Sequence, residues 1–413
     1  MIRRPHLMLA LVLAFALGAG PPAAHDDAPE AIQPIRKRWL PTERYRELKA
    51  RWLDYARAHS ADPGAWIQLA RATEYARDSC AEAVRYAGRA YQLAPRRADV
   101  LATLGAWRWF VYCDGQATDP DPAIGMLEEA LALDPGLDDA RYRLWVMRLS
   151  KGERDAAEDQ LRELLNRGRI PEPLVDFGYN LLIGLEPDAI LLTNGDNDTC
   201  PLIALQAARG IRRDVDVVNL SLLNLGWYRR QLAERHPAVP VPLLDQGPRG
   251  TGGSDAAVRG LIENLARDGW KRPLYLACTV NRQAHAMPNQ LSLEGIAFRV
   301  LPKGGAGFDV DTLRIERNLG SLYRLESATS PSLDWDDWQS VRFLMLNYPS
   351  AGFQLSLARA RAGSLVLANQ SMDRAVALSV FHHSDFTPEM IKEWSAWTPN
   401  SPELAHWKRQ LRL

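Results

Sequence analysis

Two carboxylates separated by one residue, Asp196 and Asp198, follow a short apolar run, and they form the pattern in this chain most suited to chemistry. An Asp-x-Asp pair after a strand can hold a hard divalent cation, which in turn binds sugar or phosphate oxygens. The same carboxylates could instead make side-chain turns with Asn194 and cap a helix that starts near Pro201. A third interpretation is metal-free hydrogen bonding to a sugar or a peptide. This pattern indicates a divalent cation as the cofactor, although the sequence alone does not establish that any cofactor is bound.

Further polar side chains follow the ends of three predicted strands. The strands are 189–193, the Val- and Leu-rich segment 214–223, and 274–280. Because ligands of parallel α/β sheets bind beyond the carboxyl ends of the strands, these side chains are expected to converge in one site. The candidate ligand-binding residues are Thr193, Asn194, Asp196, Asn197, Asp198, Thr199, Asn219, Ser221, Asn224 and Asn281, with Asp196 and Asp198 as the metal ligands.

The elements that must position this site alternate between strands and helices. Helical patterns of about ten residues or more separate the predicted strands, which favours a mostly parallel, Rossmann-like α/β domain over 173–305. A last strand, 295–301, is expected at the sheet edge. The remaining residues, 306–413, have helical patterns and are expected to pack on this domain, with Trp394, Trp397 and Trp407 buried.

Upstream, residues 40–172 show apolar residues at helical spacing and a self-similar pattern. Trp66, Leu69 and Ala70, followed by a second helix that Pro95 closes, resemble a tetratricopeptide repeat, and two further units follow. The resemblance implies stacked helical hairpins that bind a protein or peptide. The fold class is therefore tetratricopeptide-like helical hairpins, then a mostly parallel α/β domain and C-terminal helices.

Four cysteines allow three disulfide pairings. Cys80 and Cys113 are the expected partners, because they are predicted at the ends of first helices in successive repeats, which stack side by side. Cys200 and Cys278 could pair or could remain buried as small apolar residues.

The strand-end region also has a family resemblance. Residues 189–199 (AILLTNGDNDT), with 212–215 (RRDV), 218–224 (VNLSLLN) and 295–299 (GIAFR), resemble the C-terminal part of bacterial protein O-mannosyltransferase-like membrane proteins. Those relatives carry their presumed transferase in many N-terminal membrane helices, and this sequence has no such helices. Cys200 stands where an aromatic residue is usual. The resemblance implies an envelope or glycosylation context but does not transfer the enzymatic activity.

Residues 1–24 have the pattern of a secretory signal peptide. Arg3 and Arg4 precede an apolar stretch over 7–19, and cleavage is expected after Ala24. No later apolar stretch reaches the roughly 20 residues of a membrane span, so no span is expected after cleavage. The predicted location is periplasmic or secreted, in a bacterium.

Composition narrows the partners further. The 50 basic and 50 acidic residues balance, which argues against a nucleic-acid partner. The favoured function is a non-enzymatic binding or scaffold protein whose helical repeats hold a protein or peptide and whose partner could include a glycan. The alternative is a metal-dependent enzyme that acts on a glycan or a nucleotide sugar at Asp196 and Asp198.

Overall fold

A computed structural model describes residues 28–113, 120–235, 253–280, 289–305, 307–330, 333–379, 386–397 and 402–411. These residues form two compact units, residues 28–169 with 336–340, and residues 170–335 with 341–411. The predicted signal peptide and Asn281 lie outside the described residues. Across the described parts of the chain, no helix is both long and apolar enough to cross a membrane.

The first unit consists of helices joined by short turns. Its helices are α1 (Thr42–Ala58), α2 (Pro63–Tyr75), α3 (Cys80–Leu93), α4 (Ala98–Cys113), α5 (Asp121–Leu133), α6 (Asp138–Ser150) and α7 (Arg154–Asn166). Three hairpins, α2 with α3, α4 with α5 and α6 with α7, coincide with the three predicted repeats and confirm them as helical hairpins. Helix α1 precedes the first hairpin and packs on α2.

Small residues allow the helices of each hairpin to approach closely. Ala83, Ala87 and Ala90 of α3 are fully buried. At Gly105 of α4, a Cβ atom would lie 3.1 Å from the carbonyl oxygen of Ala123 in α5. Any larger side chain there would push the two helices apart, so this glycine sets the spacing of the second hairpin.

The cysteine positions differ in part from the prediction. Cys80 is the first residue of α3, a second helix, whereas Cys113 ends α4, a first helix, as expected. The error arose because α2 ends early, at Tyr75, and Ser79 caps α3 by accepting a hydrogen bond from the Glu82 N–H. The side chain of Cys113 lies outside the described residues, so its pairing with Cys80 stays a prediction.

The second unit contains a six-stranded sheet. Its elements as far as the last strand are α8 (Glu172–Ile183), β1 (Ile190–Thr193), α9 (Cys200–Arg209), β2 (Asp216–Asn219), α10 (Gly226–Arg235), α11 (Gly253–Arg267), β3 (Leu274–Ala277), β4 (Asn289–Leu293), β5 (Ala297–Gly304) and β6 (Phe308–Val310). The strand order is β2-β1-β3-β5-β4-β6. Strands β2, β1 and β3 are parallel, as predicted, and have helices between them in sequence.

The other half of the sheet is mixed, which corrects the mostly parallel prediction. Strand β5 is antiparallel to both β3 and β4, and β6 is parallel to β4. The segment predicted as an edge strand therefore lies in the interior, and its first predicted residue, Gly295, lies in the β4–β5 turn. Gly295 has φ +119°, and a Cβ there would lie 2.4 Å from the Tyr323 hydroxyl oxygen. Only glycine fits this turn.

The C-terminal helices pack as a further layer of this unit. They are α12 (Thr312–Arg317), α13 (Gln339–Met345), α14 (Asn347–Arg361), α15 (Leu365–Ser379), α16 (Phe386–Trp397) and α17 (Pro402–Gln410). Trp394 and Trp407 are fully buried, with ring centroids 5.7 Å apart. Their burial matches the prediction, whereas the side chain of Trp397 lies outside the described residues.

One arginine ties the end of α8 to the connection before β2. The Arg212 guanidinium donates to the carbonyl oxygens of Leu182 (2.7 Å), Leu185 (3.0 Å) and Glu186 (2.7 Å). It also donates to both carboxylate oxygens of Asp214, at 2.9 and 2.8 Å. Every guanidinium nitrogen is thus used, and three carbonyls at and just beyond the end of α8 each gain a charged donor.

The hydrogen bonds from Arg212 lower the pKa of Asp214 to about 2. A lowered pKa in the folded state stabilises the fold above the unfolded value of about 4, and this contribution is lost as the pH falls towards 2. We expect Asp214→Asn to cost about 1 kcal/mol at pH 7, and less as the pH falls below about 4. Urea unfolding at several pH values measures this.

The control is Asp188→Asn, which removes the same charge from an exposed side chain nearby. It should change the unfolding free energy by less than about 0.5 kcal/mol at every pH. Equal costs for the two variants, or a cost at Asp214 that does not depend on pH, would contradict this account of Arg212.

Candidate functional site

The carboxyl ends of the three parallel strands bring several predicted site residues together. The Thr193 hydroxyl, at the end of β1, lies 2.7 Å from the Thr199 hydroxyl oxygen. The Asn219 amide, at the end of β2, donates to the same Thr199 oxygen at 2.8 Å. All three side chains are buried. They form a hydrogen-bonded cluster that links the loop after β1 to the end of β2.

Asp198 is a buried acid in the same loop after β1. Its carboxylate accepts the backbone N–H of Asn194 at 2.8 Å, the N–H of Gly195 at 2.7 Å, and the hydroxyl of Thr279, which follows β3. Burial raises the pKa of the Asp198 carboxyl above its usual value, while these donors oppose the increase by favouring the ionised form. Asp198 therefore holds the loop after β1 against the end of β3.

Asp196, the second predicted metal ligand, has a different environment. Its side chain is exposed, whereas that of Asp198 is 3% exposed. Within the described ranges, no three His, Cys, Asp or Glu side chains come close enough to hold a metal ion. A cation at Asp198 would have to displace the hydrogen bonds that its carboxylate already accepts. The divalent cation at this pair stays a prediction.

The remaining strand-end candidates lie around this cluster. The Ser221 hydroxyl donates to the carbonyl oxygen of Asn194 at 2.9 Å, and Asn224 accepts the N–H of Ser254 at 3.0 Å. Asn197 is half-buried. These contacts connect the loops after β1 and β2 with the start of α11.

The two other cysteines lie near the same strand ends. Cys278, directly after β3, is a buried free thiol, and burial raises its pKa. Its sulfur lies 3.9 Å from the carbonyl oxygen of Gly295, and Cys200 is buried at the start of α9. Of the two alternatives for this pair, the structure shows buried apolar packing for Cys278.

The helical unit contains a second candidate site, on a face shared by α2 and α6. We call this the inner face; it comprises Gln68, Arg71 and Glu74 of α2 with Asp139, Tyr142 and Arg143 of α6. Arg143 donates to Glu74 at 2.8 Å, which joins two helices 69 residues apart in sequence. The first helices of the first and third hairpins therefore present their polar side chains to the same space.

A non-helical segment of the chain, residues 28–41, lies on this inner face. The Ile32 N–H donates to the Gln68 side-chain oxygen at 2.7 Å, and the Ile32 side chain is 3% exposed in the core formed with Trp52 and Leu69. Arg36 pairs with Asp139, and its guanidinium carbon lies 3.6 Å from the Tyr142 ring centroid. The inner face thus binds one backbone N–H group and one guanidinium, and the apolar core beside it binds one apolar side chain.

Electrostatics favour the guanidinium at this position. Burial alone would raise the pKa of Asp139, but the neighbouring Arg36, Arg71 and Arg143 outweigh it and lower that pKa. Asp139 therefore stays ionised at neutral pH and can accept a charge-assisted hydrogen bond. The Tyr142 ring adds a cation–π contact on the face of the same guanidinium.

Sequence patterns do not reveal the inner-face residues. Glu74 and Arg143 are surface-type residues on regular helices, and no spacing rule connects them across 69 positions. Arg36 belongs to the basic run 36–38, of which only Arg36 pairs with the inner face; Arg38 pairs with Glu30 in its own segment, and Lys37 pairs with Asp337.

The two carboxylates of the strand-end pair should differ in their effect on stability. We expect Asp198→Ala to lower the unfolding free energy by about 2 to 3 kcal/mol, because it leaves buried donors without an acceptor. Asp196→Ala, the matched control, should change it by less than about 0.5 kcal/mol. Urea unfolding followed by tryptophan fluorescence measures both. Equal stability of Asp198→Ala and the wild type would refute the positioning role of Asp198.

Comparisons with known proteins match a family profile and a number of solved structures. A family profile described as "TMEM260-associated domain 2" matches residues 174–246, which span α8 to α10 with β1 and β2. The description does not name a mannosyltransferase, so the O-mannosyltransferase-like resemblance stays a prediction. No curated protein sequence matches the chain. A solved structure, "Crystal structure of MamA protein", is 15% identical, covers 49% of this chain and 90% of its own, and has a TM-score of 0.27.

Proposed function

We propose that this chain is a binding or scaffold protein that holds a segment of a protein or peptide on the inner face of its helical unit. The observation that carries the proposal is that residues 28–41 already lie there without helical structure. Their contacts include a hydrogen bond from the Ile32 N–H, the buried Ile32 side chain and the Arg36 guanidinium. A face that accommodates these groups of its own chain has the chemistry to accommodate them in a partner.

Stacked helical hairpins suit this role. Each hairpin buries its apolar side chains against its neighbours, which leaves the first helices free to carry polar recognition groups. Gln68 recognises a backbone N–H, and Asp139 with Tyr142 recognises a planar cation. Such contacts select a peptide by a few side chains rather than by its overall shape.

The setting that we propose is the periplasm or the outside of a bacterial cell. The signal-peptide pattern of residues 1–24 supports export, and the resemblance of residues 189–199 to envelope membrane proteins supports an envelope or glycosylation context. In this proposal the α/β unit is a second module, in which the strand-end cluster holds three loops in place.

Selection of displayed random peptides on the exported, processed chain tests the binding function. Because residues 28–41 use the same two side chains, the comparison is made in an Ile32→Ala, Arg36→Ala background. In this background we expect the selected peptides to lose about tenfold in affinity, or about 1.4 kcal/mol, when Gln68 and Tyr142 are both changed to alanine. Fluorescence anisotropy measures the affinities. The matched control changes Gln92 and Tyr91 to alanine; these are the same residue types, exposed on α3.

Loss of binding in the inner-face variant with full binding in the α3 variant is the expected result. If the selected peptides bind both variants as tightly as the wild type, the partner site lies elsewhere. If no peptide is selected on either the wild type or the variant with a weakened segment described below, the binding function itself fails.

A further inference from the structure

The contacts of residues 28–41 define a short recognition pattern. Ile32 and Arg36 are four residues apart; the Ile32 side chain is 3% exposed in the apolar core beside the inner face, and Arg36 pairs with Asp139. Ala28 and Leu40 are only partly buried against the same core. The Glu30 carbonyl oxygen adds a hydrogen bond from the Trp52 indole at 3.0 Å. Arg38 instead pairs with Glu30 within the segment at 2.8 Å. An apolar residue followed four positions later by arginine is therefore the pattern that combines the buried anchor with the ion pair to Asp139.

We propose that the inner face recognises partner peptides with this pattern, an apolar residue followed four positions later by arginine, and that residues 28–41 are a displaceable internal copy of that ligand. The proposal rests on the proposed function. It adds the sequence pattern of the partner peptide and a mechanism that controls the access of that peptide to the inner face. The segment and a partner would compete for Gln68, Asp139 and Tyr142, so the free chain is held in a self-occupied state.

Arginine suits this position better than lysine. The Arg36 guanidinium carbon lies 3.6 Å from the Tyr142 ring centroid while a guanidinium nitrogen pairs with Asp139, and a planar cation can make both contacts at once. A lysine ammonium is a compact charge that lacks the planar face for stacking. A peptide with lysine in place of arginine should therefore bind more weakly.

The segment is held at its other end by residues from much later in the chain. The Ser340 N–H donates to the Lys37 carbonyl oxygen at 2.8 Å, and the Ser340 hydroxyl donates to that of Ile35 at 2.9 Å. Lys37 pairs with Asp337 at 2.7 Å and lies over the Trp338 ring, 4.8 Å from its centroid. These contacts keep the segment close after displacement, so it competes as a tethered ligand.

A tethered competitor acts at an effective concentration of about millimolar, which no modest concentration of free peptide exceeds. A peptide added to the wild type must therefore displace the segment. Its apparent association constant is the intrinsic constant multiplied by the fraction of chains in which residues 28–41 are detached from the inner face. Weakening the internal copy should restore the intrinsic affinity. In the resulting test, removing contacts of residues 28–41 increases the binding of an added peptide.

The probe is a fluorescent synthetic peptide with the sequence of residues 28–41, titrated into the full processed chain and followed by anisotropy. We expect it to bind the Ile32→Ala, Arg36→Ala variant at least about tenfold more tightly than the wild type. The matched control is Ile32→Ala with Arg38→Ala, which removes the same charge from a residue that does not pair with the inner face. This control should gain only the part of the affinity that Ile32→Ala releases, so the difference between the two variants reports the contribution of Arg36.

A second change identifies the site in the same background. Adding Asp139→Ala to the Ile32→Ala, Arg36→Ala variant should abolish the gain, whereas adding Asp138→Ala should leave it. Asp138 is the neighbouring acid on α6 and pairs with Arg169. Circular dichroism establishes that each variant is folded, and a peptide with Arg36→Lys should bind several-fold more weakly.

Three results would overturn the inference. If the peptide binds the weakened variant no better than the wild type, while library-selected peptides still bind the inner face, the internal copy is not a competitor although the binding function stands. If Asp139→Ala leaves the gain intact, the peptide binds elsewhere. If light scattering shows a dimer that the Ile32→Ala, Arg36→Ala variant lacks, the occupant is the same segment of a second copy.

Discussion

Charged side chains on the inner face of the helical unit must be paired, because a half-buried carboxylate or guanidinium has lost much of the water that would stabilise it. Glu74 meets this requirement through Arg143, and Asp139 meets it through Arg36. The first pair joins two helices of the unit, whereas the second depends on a segment outside the repeats. Arg71 and Arg143 of the helical unit also favour the ionised form of Asp139, while residues 28–41 add the paired guanidinium and an apolar side chain beside Trp52.

A buried acid in the sheet unit must also have hydrogen-bond partners, but these partners are of a different kind. Asp198 is buried, and two backbone N–H groups of its own loop together with the Thr279 hydroxyl after β3 satisfy its carboxylate. Among the residues that the structure describes, no cation pairs with Asp198, and these hydrogen bonds fix the loop between β1 and α9. The acid of the sheet unit, Asp198, therefore positions backbone groups, whereas the acid of the helical unit, Asp139, binds a guanidinium.

Much of the architecture could be predicted from the sequence, because apolar periodicity reports burial directly. The hairpins followed from helical spacing and from small residues such as Ala83, and β1 to β3 followed from short apolar runs between helices. The mixed half of the sheet escaped prediction. Strand β4 is half polar and β6 has three residues, so neither shows a period, and Gly295 looked like the start of a strand although its backbone requires a turn.

The convergence of Thr193, Asp198 and Asn219 could also be anticipated, since the ends of parallel strands meet at one edge. Their ligand remains a prediction, because the chain itself satisfies the buried groups. The inner face could not be anticipated. Its pairs join α2 to α6 and residue 36 to residue 139, and such contacts depend on how the hairpins stack, which no local pattern encodes.

The most direct test of the account is hydrogen exchange, measured by mass spectrometry, on the chain with and without a selected inner-face peptide. The Ile32 N–H is hydrogen-bonded to Gln68 in the free protein, so peptides covering residues 28–41 should be protected there. The account predicts that this protection is lost when the peptide binds, while α2 and α6 stay protected. Peptide binding that leaves residues 28–41 as protected as before would contradict it.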